Sequence, residues 1–427
     1  MTDTIFALSS GLPPAGIAVV RMSGPQAGKT LTALSGQLPE PRFARFCRFR
    51  DPEDGTLLDE GLALWFLGPA TATGEDLAEL HLHGGRAVVA AVLACLGRQE
   101  GLRPATAGEF TRRAFENGRI DLAQAEGLAD LLSAETEGQR QSALALAEGA
   151  LGTKVAAWQR DLLRLSAQLE ADLDFSDEDD VPDAGPSGIQ TRIQGSLTPL
   201  VADMAGLLSA PPAERLRDGV RVVLAGPPNS GKSSLFNVIV GRHAAIVTDV
   251  AGTTRDRIEA PVMLDGVPLL LIDTAGLRGG VADAVEAIGI ERTGEALAEA
   301  DIILWLGAEG DRPTGSILIA SKSDSAPPGP GLPVSATTGA GISALRAALL
   351  DQARALLPRP GALALNARHC AVLHQVLAEI EVAALACDPL ITAEHLRTAR
   401  RALDAMTGRA GVEDMLDALF GAFCIGK

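Results

Sequence analysis

The sequence predicts an α/β multidomain protein in which a P-loop domain is inserted into a helical domain. The first observation is the stretch GPPNSGKS at Gly226–Ser233, which follows an apolar run and precedes a helical pattern. The second is that helical patterns lie on both sides of this region. The third is that the N-terminal part mixes strand and helix patterns. We therefore expect domains at 1–120, 121–215, 216–355 and 356–427.

The charge, the cysteine spacing and the lack of long apolar runs limit the classes of function that the chain can have. The 427 residues carry 37 basic and 54 acidic side chains, a formal net charge of −17. Non-specific nucleic-acid binding needs Lys and Arg to neutralise phosphates, so this charge argues against a protein that coats nucleic acid along its whole surface, but it does not exclude a local basic patch. The five cysteines lack any C-x-x-C spacing and are expected to be reduced thiols. With no signal-peptide pattern and no apolar run that could span a bilayer, we expect a cytoplasmic protein without membrane contact.

The N-terminal part shows a strand pattern at 16–22 and a β-hairpin pattern over 41–67. Four arginines within 42–50 are interleaved with phenylalanines, which fits either an RNA-facing patch or a solvated strand face. His81 and His83 share one side of a strand, as metal ligands can, but no third ligand lies nearby. Helices are expected at 86–99, 109–117 and 122–147.

The P-loop domain is expected to contain a mixed sheet. Asp265-Gly266 has the composition of a tight hairpin turn between two strands. The loop Gly307–Gly315 is too short for the helix that normally joins parallel strands, so we expect an irregular connection there. Strands are expected at 221–225, 260–264, 269–272, 301–306, 316–320 and 332–334.

The P-loop and the stretches after it suit a nucleoside triphosphate with Mg²⁺. Glycines let the backbone turn so that amide N–H groups face the phosphates at a helix N-terminus. Lys232 would neutralise phosphate charge, and Ser233 would ligate Mg²⁺. The run at 273–276 places a carboxylate near Mg²⁺ and a Gly N–H near the γ-phosphate. Thr253-Thr254 offers a hydroxyl to complete the Mg²⁺ shell.

The base is predicted to be guanine. Lys322 would stack on it, and the Asp324 carboxylate would accept its N1–H and N2–H groups, a donor pair that adenine lacks. Ser335-Ala336 would close the pocket. The usual motif begins with Asn, so Ser321 gives up one neutral hydrogen bond, worth about 0.5–1.5 kcal/mol. Leu277 stands where Ras-like enzymes carry the Gln that orients the attacking water, so another group must orient it.

Eight stretches spread along the whole chain carry a resemblance to one known family. They are AGIAVVRMSG (15–24), TGEDLAELHLHGG (73–85), AGEFTRRAFENGRIDLAQAE (107–126), GPPNSGKSSLFN (226–237), TDVAGTTRD (248–256), DTAGLR (273–278), VEAIGIER (285–292) and FCIGK (423–427). These motifs are similar to those of the MnmE (TrmE) family of tRNA-modifying GTPases.

The resemblance implies an N-terminal α/β folate-binding domain, an α-helical central domain and an inserted P-loop Ras-like G domain. It also implies a homodimer that joins the FAD-dependent protein MnmG (GidA) in a heterotetramer and acts on tRNA. Together they would form the 5-carboxymethylaminomethyl or aminomethyl group on wobble uridine 34 of certain tRNAs. The one-carbon source would be a tetrahydrofolate derivative, and potassium would stimulate GTP hydrolysis.

The same resemblance implies roles for individual residues. Catalytic roles would fall on Glu286, which would help to orient the water, and on Lys232 and Thr254. Potassium would be held by Asn229, Thr248, Val250 and Thr253, and Mg²⁺ by Ser233 and Thr254. Folate would be held by Arg21, Glu79, Arg119 and Lys427. The GTP-binding set would be Asn229, Ser230, Gly231, Lys232, Ser233, Ser234, Thr248, Asp249, Val250, Ala251, Gly252, Thr253, Thr254, Asp273, Thr274, Ala275, Gly276, Lys322, Asp324, Ser335 and Ala336.

Alternatives remain open from the sequence. Glu286 is otherwise a solvent-facing helix carboxylate, and Cys424, which matches the family's C-terminal cysteine, is otherwise a buried structural thiol. Two other functions compete: a regulatory GTP switch without modification chemistry, and a folate-dependent one-carbon enzyme with a vestigial G domain. Folate binding separates the first from our hypothesis, and GTP turnover in potassium against sodium separates the second.

Overall fold

In this computed structural model the described residues are 3–174, 185–243, 258–274, 294–325, 329–408 and 413–426. They fall into two compact units. Unit 1 comprises Met1–Ala129, Leu151–Ala156 and Leu403–Lys427, and unit 2 comprises Asp130–Ala150 and Ala157–Ala402. Among the helices of the described ranges, none combines the length and apolarity needed to cross a membrane.

The described residues contain two six-stranded sheets, one in each unit. The strands are β1 (Thr4–Leu8), β2 (Ala15–Ser23), β3 (Arg45–Arg50), β4 (Leu57–Phe66), β5 (Leu77–Gly84), β6 (Leu102–Pro104), β7 (Val220–Ala225), β8 (Ile258–Leu264), β9 (Val267–Asp273), β10 (Ile302–Trp305), β11 (Ile317–Ser321) and β12 (Leu332–Val334). The helices are α1 (Ala27–Ser35), α2 (Arg86–Arg98), α3 (Glu109–Glu116), α4 (Leu122–Ser133), α5 (Glu137–Ala147), α6 (Ala150–Asp174), α7 (Gly185–Leu208), α8 (Ala213–Arg217), α9 (Lys232–His243), α10 (Ile342–Leu356), α11 (Ala367–Leu385), α12 (Pro389–Thr407) and α13 (Glu413–Gly421).

The sheet of unit 1 has the strand order β3-β4-β5-β2-β1-β6. The predicted hairpin over 41–67 is confirmed as the antiparallel pair β3 and β4. Side chains alternate between the two faces of a strand. Ala18, Val20 and Met22 of β2 are therefore buried together in the core that α1 and α2 cover. Arg21 lies on the opposite face, where the antiparallel register sets it directly across from Glu79 of β5.

The last described residues of the chain belong to unit 1 and pack against its sheet. Ile425 forms an antiparallel bridge with Ala107. A Cβ on Gly426 would lie 2.0 Å from the carbonyl oxygen of Leu8, so only glycine can approach β1 this closely. Cys424 is exposed, and the alternative of a buried structural thiol is therefore wrong. Gly426 thus lies beside β1, the strand that pairs with β2.

The prediction of one helix over 122–147 is wrong, because α4 ends at Ser133 and α5 begins at Glu137. Thr136 caps α5, since its hydroxyl oxygen accepts a hydrogen bond from the Gln139 N–H at 3.0 Å. The Gln139 side-chain oxygen accepts in turn from the Thr136 N–H at 2.8 Å. This reciprocal capping box satisfies the N–H groups of a new helix start and ends the preceding helix.

The sheet of unit 2 has the order β12-β11-β10-β7-β9-β8, and β7 has parallel neighbours on both sides. The predicted turn between β8 and β9 is confirmed, with φ of 48° at Asp265 and 76° at Gly266 in an antiparallel hairpin. Parallel strands β10 and β11 are joined with only the short 3₁₀ turn Glu309–Asp311, as the loop length predicted. Helices α9 and α10 contribute to the core of this sheet.

The short helix α8 ties this sheet to the helices of unit 2. Arg215 Nε donates to Asp301 Oδ1 at 2.8 Å, at the start of β10. The other carboxylate oxygen of Asp301 accepts from the backbone N–H of Arg221 in β7 at 3.0 Å. From the first turn of α5, Gln139 Nε2 donates to the carbonyl of Leu216 at 2.9 Å. One carboxylate therefore aligns the beginnings of two neighbouring strands.

A buried ion network fastens α3 to the loop before β5. Arg113 is fully buried, and its Nη1 donates to Glu75 Oε2 at 3.0 Å. Its Nη2 donates to Asp3 Oδ1 at 3.1 Å and to Glu109 Oε1 at 3.2 Å. Arg103 Nη1 donates to the second oxygen of Glu109 at 2.8 Å. Burial alone would raise the pKa of Glu109, but the hydrogen bonds from Arg103 and the Thr106 N–H outweigh it and lower this pKa to about 2.

We expect Glu109 to make unit 1 sensitive to acid. Its pKa is lower in the folded chain than its ordinary value of 4.5, so its stabilising contribution is complete above that pH and is lost as the pH falls toward 2. Glu109→Gln should be less stable at neutral pH and should lose less stability over that acid window. Urea unfolding followed by Trp65 fluorescence, with Trp158 and Trp305 replaced by Phe, measures both.

The matched control is Glu116→Gln on the same helix, which breaks the exposed ion pair with Arg112. Exposed pairs contribute at most about 1 kcal/mol, so this variant should stay close to the parent at neutral pH. Equal acid sensitivity in the parent and in Glu109→Gln would contradict the assignment of the acid response to Glu109.

Candidate functional site

The predicted P-loop joins β7 to α9 at the middle of the second sheet. Its backbone takes positive φ at Gly226 (146°), Asn229 (60°) and Gly231 (97°). Glycine adopts such angles freely, and Asn is among the few other residues that do. Because α9 starts at Lys232, the first N–H groups of this helix face the hollow of the loop. The sequence folds this segment into an anion-binding turn.

Lys232 and Ser233 open α9 and differ in exposure. Lys232 is buried, and its Nζ donates to the carbonyls of Gly226 and Pro227 at 3.0 and 2.9 Å. The ammonium group therefore lies over the loop, where it can neutralise the charge of a bound phosphate. Ser233 is exposed, and its hydroxyl oxygen is a ligand that Mg²⁺ accepts.

Asp273 and Thr274 lie at the carboxyl end of β9, next to the P-loop. In the parallel pair β7 and β9, Leu224 stands opposite Asp273. Thr274 Oγ1 donates to the carbonyl of Leu224 at 2.8 Å and ties the two strand ends together. Both Asp273 and Thr274 are buried. The Asp273 carboxylate and the Ser233 hydroxyl are hard oxygen donors, so the residues present fit Mg²⁺.

A cavity of ≈ 270 Å³ lies between the start of α9 and the segments after β11 and β12. Asp324 accepts a hydrogen bond from the Ser335 side chain, which lowers the pKa of the Asp324 carboxyl. The ionised carboxylate can accept two N–H groups from a base. The residues around the cavity, several of which belong to the predicted GTP set, are Gly231, Ser234, Leu235, Ser321, Lys322, Asp324, Ser325, Val334, Ala336 and Thr337.

The base-recognition loop is hydrogen-bonded to the P-loop. Ser321 Oγ donates to the carbonyl of Ser230 at 2.6 Å, and Lys322 Nζ donates to the carbonyl of Asn229 at 2.8 Å. A peptide group is planar, so the Ser230 carbonyl that faces Ser321 turns the Gly231 N–H to the other side. From the sequence, Ser321 was interpreted only as the loss of one hydrogen bond in the base-recognition motif. Its position at the head of the base motif was the available signal, but its P-loop partner could not be read from the sequence.

Several predicted site residues lie outside the described residues, and the structure does not place them. They are Thr248, Asp249, Val250, Ala251, Gly252, Thr253, Thr254, Ala275, Gly276, Glu286 and Lys427. Leu277 lies outside them as well.

The structure brings Arg21 and Glu79 together in unit 1. Arg21 Nε and Nη2 donate to Glu79 Oε1 at 3.0 and 2.8 Å. His81 Nε2 lies 3.2 Å from Glu79 Oε2. The guanidinium carbon of Arg21 lies 5.9 Å from the ring centre of Phe110, within range of a cation–π contact. Phe110 was missed by sequence reasoning, although it belongs to the stretch at 107–126 that resembles the family.

Arg119 has a separate place in the same unit. Its Nε donates to the carbonyl of Thr71, in the loop between β4 and β5. Asn117 Nδ2 donates to the carbonyl of Thr73 in that loop at 2.7 Å. The end of α3 and the residues after it therefore hold the loop that leads into the Glu79 strand.

Comparison with known proteins decides the family. The family description "MnmE helical domain" matches residues 122–424, and "GTP-binding protein TrmE N-terminus" matches residues 4–119. The tRNA modification GTPase MnmE of Rhizorhabdus wittichii is 58% identical over 100% of this chain and 97% of its own length. The protein of the same name from Novosphingobium aromaticivorans is 56% identical over 100% of both chains. The chain belongs to the MnmE family of tRNA modification GTPases.

Membership of this family makes the chain a GTP-hydrolysing enzyme with a role in tRNA modification. Its fold is α/β multidomain, with a TrmE N-terminal domain, a helical domain and a P-loop G domain. GTP and Mg²⁺ are the ligands that the P-loop residues fit. Among solved structures, the G domain of the Thermotoga maritima FeoB iron transporter is 25% identical, covering 31% of this chain and 98% of that chain. The TM-score of this pair is 0.24.

We expect the two residues of the base loop to have separable effects. Ser321→Ala removes one neutral hydrogen bond to the P-loop, worth about 0.5–1.5 kcal/mol, and should weaken GTP and GDP binding about two- to tenfold. The preference for guanine over xanthine should not change. Asp324→Asn should instead weaken GTP and favour xanthosine triphosphate, because the amide donates where the carboxylate accepts.

Equilibrium binding of fluorescent GDP and XDP analogues to both variants measures these effects. Ser321→Thr keeps the hydroxyl and serves as the matched control. A shift of base preference in Ser321→Ala, or unchanged GTP affinity in Asp324→Asn, would mean that the guanine pocket is misplaced.

Proposed function

We propose that the chain is a potassium-stimulated GTPase that modifies wobble uridine 34 of certain tRNAs together with an FAD-dependent partner of the MnmG (GidA) type. The product is the 5-carboxymethylaminomethyl or aminomethyl group, formed with a folate one-carbon unit. One observation carries the proposal: a single chain has both a P-loop beside a cavity lined by Lys322 and Asp324, and an Arg21–Glu79 ion pair on the sheet of its other unit. A GTP switch without modification chemistry has no use for the second site.

The proposed potassium site centres on Asn229. Its backbone is in the left-handed region, its carbonyl is held by Lys322, and the residue is exposed. A side-chain amide oxygen is a ligand that suits a hard cation. Thr248, Val250 and Thr253 are the other proposed ligands. A potassium ion at this position would supply positive charge to the transition state.

The proposed water-orienting residue is Glu286, with Lys232 and Thr254 as further catalytic residues. The Leu277 side chain has no hydrogen-bonding group, so another residue must orient the water, and the family resemblance assigns this role to Glu286. Lys232 acts on the phosphates, and Ser233 and Thr254 hold Mg²⁺.

The proposed folate site comprises Arg21, Glu79, Arg119 and Lys427. Arg21 lies opposite Ala7 of β1, and the next residue, Leu8, contacts Gly426. Gly426, the residue before Lys427 in the sequence, therefore contacts the neighbour of the residue that pairs with Arg21. Basic side chains suit the glutamyl carboxylates of folate, and a carboxylate such as Glu79 can accept pterin N–H groups.

The proposal extends to assembly and organisation. We propose a cytoplasmic homodimer that forms a heterotetramer with its flavoprotein partner and binds tRNA. The domains would span 1–120 for folate binding, 121–215 and 356–427 for the helical domain, and 216–355 for the G domain.

We expect GTP turnover to be faster in potassium than in sodium, because no arginine in the P-loop supplies the charge that the ion would provide. Asn229→Ala should reduce this stimulation at least tenfold while binding GDP within about threefold of the parent. Phosphate release in KCl and NaCl at equal ionic strength is the measurement.

Asn237→Ala is the matched control, since Asn237 is an exposed residue of α9 outside the loop. It should keep the full potassium response. Equal turnover in both salts for the parent chain would contradict the potassium proposal.

We expect Arg21→Ala to weaken binding of 5-formyltetrahydrofolate. Losing a charge-assisted hydrogen bond costs about 1.5–3 kcal/mol, or roughly ten- to a hundredfold in affinity. Isothermal titration calorimetry of the full chain gives the dissociation constant.

Arg48→Ala is the matched control, because Arg48 pairs with Glu60 in an exposed ion pair of the same sheet. Its affinity for the folate should equal that of the parent. Equal affinities for all three chains would remove Arg21 from the folate site.

A further inference from the structure

His81 shares a sheet face with the Arg21–Glu79 pair. The antiparallel register of β2 and β5 sets Arg21 opposite Glu79 and Val19 opposite His81. Residues two apart in a strand lie on the same face, so Arg21, Glu79 and His81 project together. The intervening Leu80 is buried in the core on the other side. These three polar side chains are between 15% and 28% exposed, so they form a half-buried cluster open to solvent.

Three hydrogen bonds fix the orientation of the Glu79 carboxylate. Oε1 accepts both donors of Arg21, at 3.0 and 2.8 Å. Oε2 lies 3.2 Å from His81 Nε2, and because an ionised carboxylate only accepts, the imidazole N–H is the donor. A carboxylate has about four acceptor positions, so roughly one remains for a ligand unless Arg21 yields one. Without His81, Glu79 Oε2 would have no hydrogen-bond partner within this cluster. The carboxylate plane of Glu79 could then rotate about the Cγ–Cδ bond.

We propose that His81 is a positioning residue of the folate site. This inference rests on the proposed folate binding by Arg21 and Glu79. His81 holds Glu79 Oε2 so that the carboxylate presents one fixed edge to a planar heterocycle with N–H donors, such as a pterin. The cross-strand partners of Glu79 and His81 on β4 are Leu64 and Leu62, which place apolar surface beside the carboxylate for the ring.

The neighbouring histidine provides the comparison. His83 lies on the same face two residues further along β5, but its imidazole Nδ1 bonds to Asp59 Oδ1 at 2.9 Å and its backbone N–H donates to Asp59 Oδ2 at 2.8 Å. Its side chain is 74% exposed, against 28% for His81. Removing His83 therefore tests the loss of a histidine from this strand without releasing Glu79.

The experiment measures the dissociation constant of 5-formyltetrahydrofolate for the full chain by calorimetry. His81→Ala and His81→Leu should each raise it about three- to tenfold, the effect of one hydrogen bond. His81→Gln keeps an N–H donor and should restore the constant to within about twofold of the parent. His83→Ala should leave it unchanged. Thermal unfolding of each variant checks that the sheet is intact.

The outcomes separate this inference from the proposed function. If Arg21→Ala weakens folate binding while His81→Ala and His81→Leu match the parent, folate binding stands and the role of His81 is wrong. If His81→Gln binds as weakly as His81→Leu, the N–H donor is not what the site needs, and the role is again wrong. If the parent chain does not bind the folate at all, both the proposed site and the role of His81 fail.

Discussion

Side-chain hydrogen bonds to four backbone carbonyl groups hold the shape of the P-loop, on which the nucleotide site depends. The carbonyls of Gly226 and Pro227 accept hydrogen bonds from Lys232, and those of Asn229 and Ser230 accept from the base-recognition loop. Because peptide groups are planar, a carbonyl held on one side directs the following N–H, where there is one, to the other. Gly226 and Pro227 are each followed by a proline, and the Ser230 N–H donates to the Pro227 carbonyl, so the N–H oriented in this way is that of Gly231. The two loops that hold base and phosphate are also fixed relative to each other.

Strand order makes these hydrogen bonds possible. Strands β7, β10 and β11 are parallel neighbours, so their carboxyl ends deliver the P-loop and Ser321 to one edge of the sheet. The hairpin of β8 and β9 lies on the other side of β7 and brings Asp273 to the same edge. Ligands of open α/β sheets bind beyond the carboxyl ends of the strands, at the point where the strand order reverses. At the opposite edge, Asp301 joins Arg215 to the backbone of Arg221 and keeps the strands aligned.

Sequence reasoning succeeded where the signal is local. The P-loop and the Asp265-Gly266 turn follow from residue types at fixed spacing, and both have the predicted backbone. The break before Thr136 was not predicted, although its T-x-x-Q spacing is visible, because helix-forming residues such as Ala and Leu continue on both sides of it. Strand β1, only five residues long, carries too little pattern to predict and is defined by pairing with β2. The partner of Ser321 lies 91 residues away, a distance over which no local rule operates.

The Arg21–Glu79 pair is better explained by binding than by stability. Both side chains are half-buried, and removing such charges from water costs about as much as their attraction returns. The core of this sheet is complete on the face under α1 and α2, so the pair adds no apolar burial there. A carboxylate held by Arg21 and His81 keeps its orientation and retains acceptor capacity on an open face. That combination recognises N–H donors of a ligand, which we infer to be the reason for this arrangement.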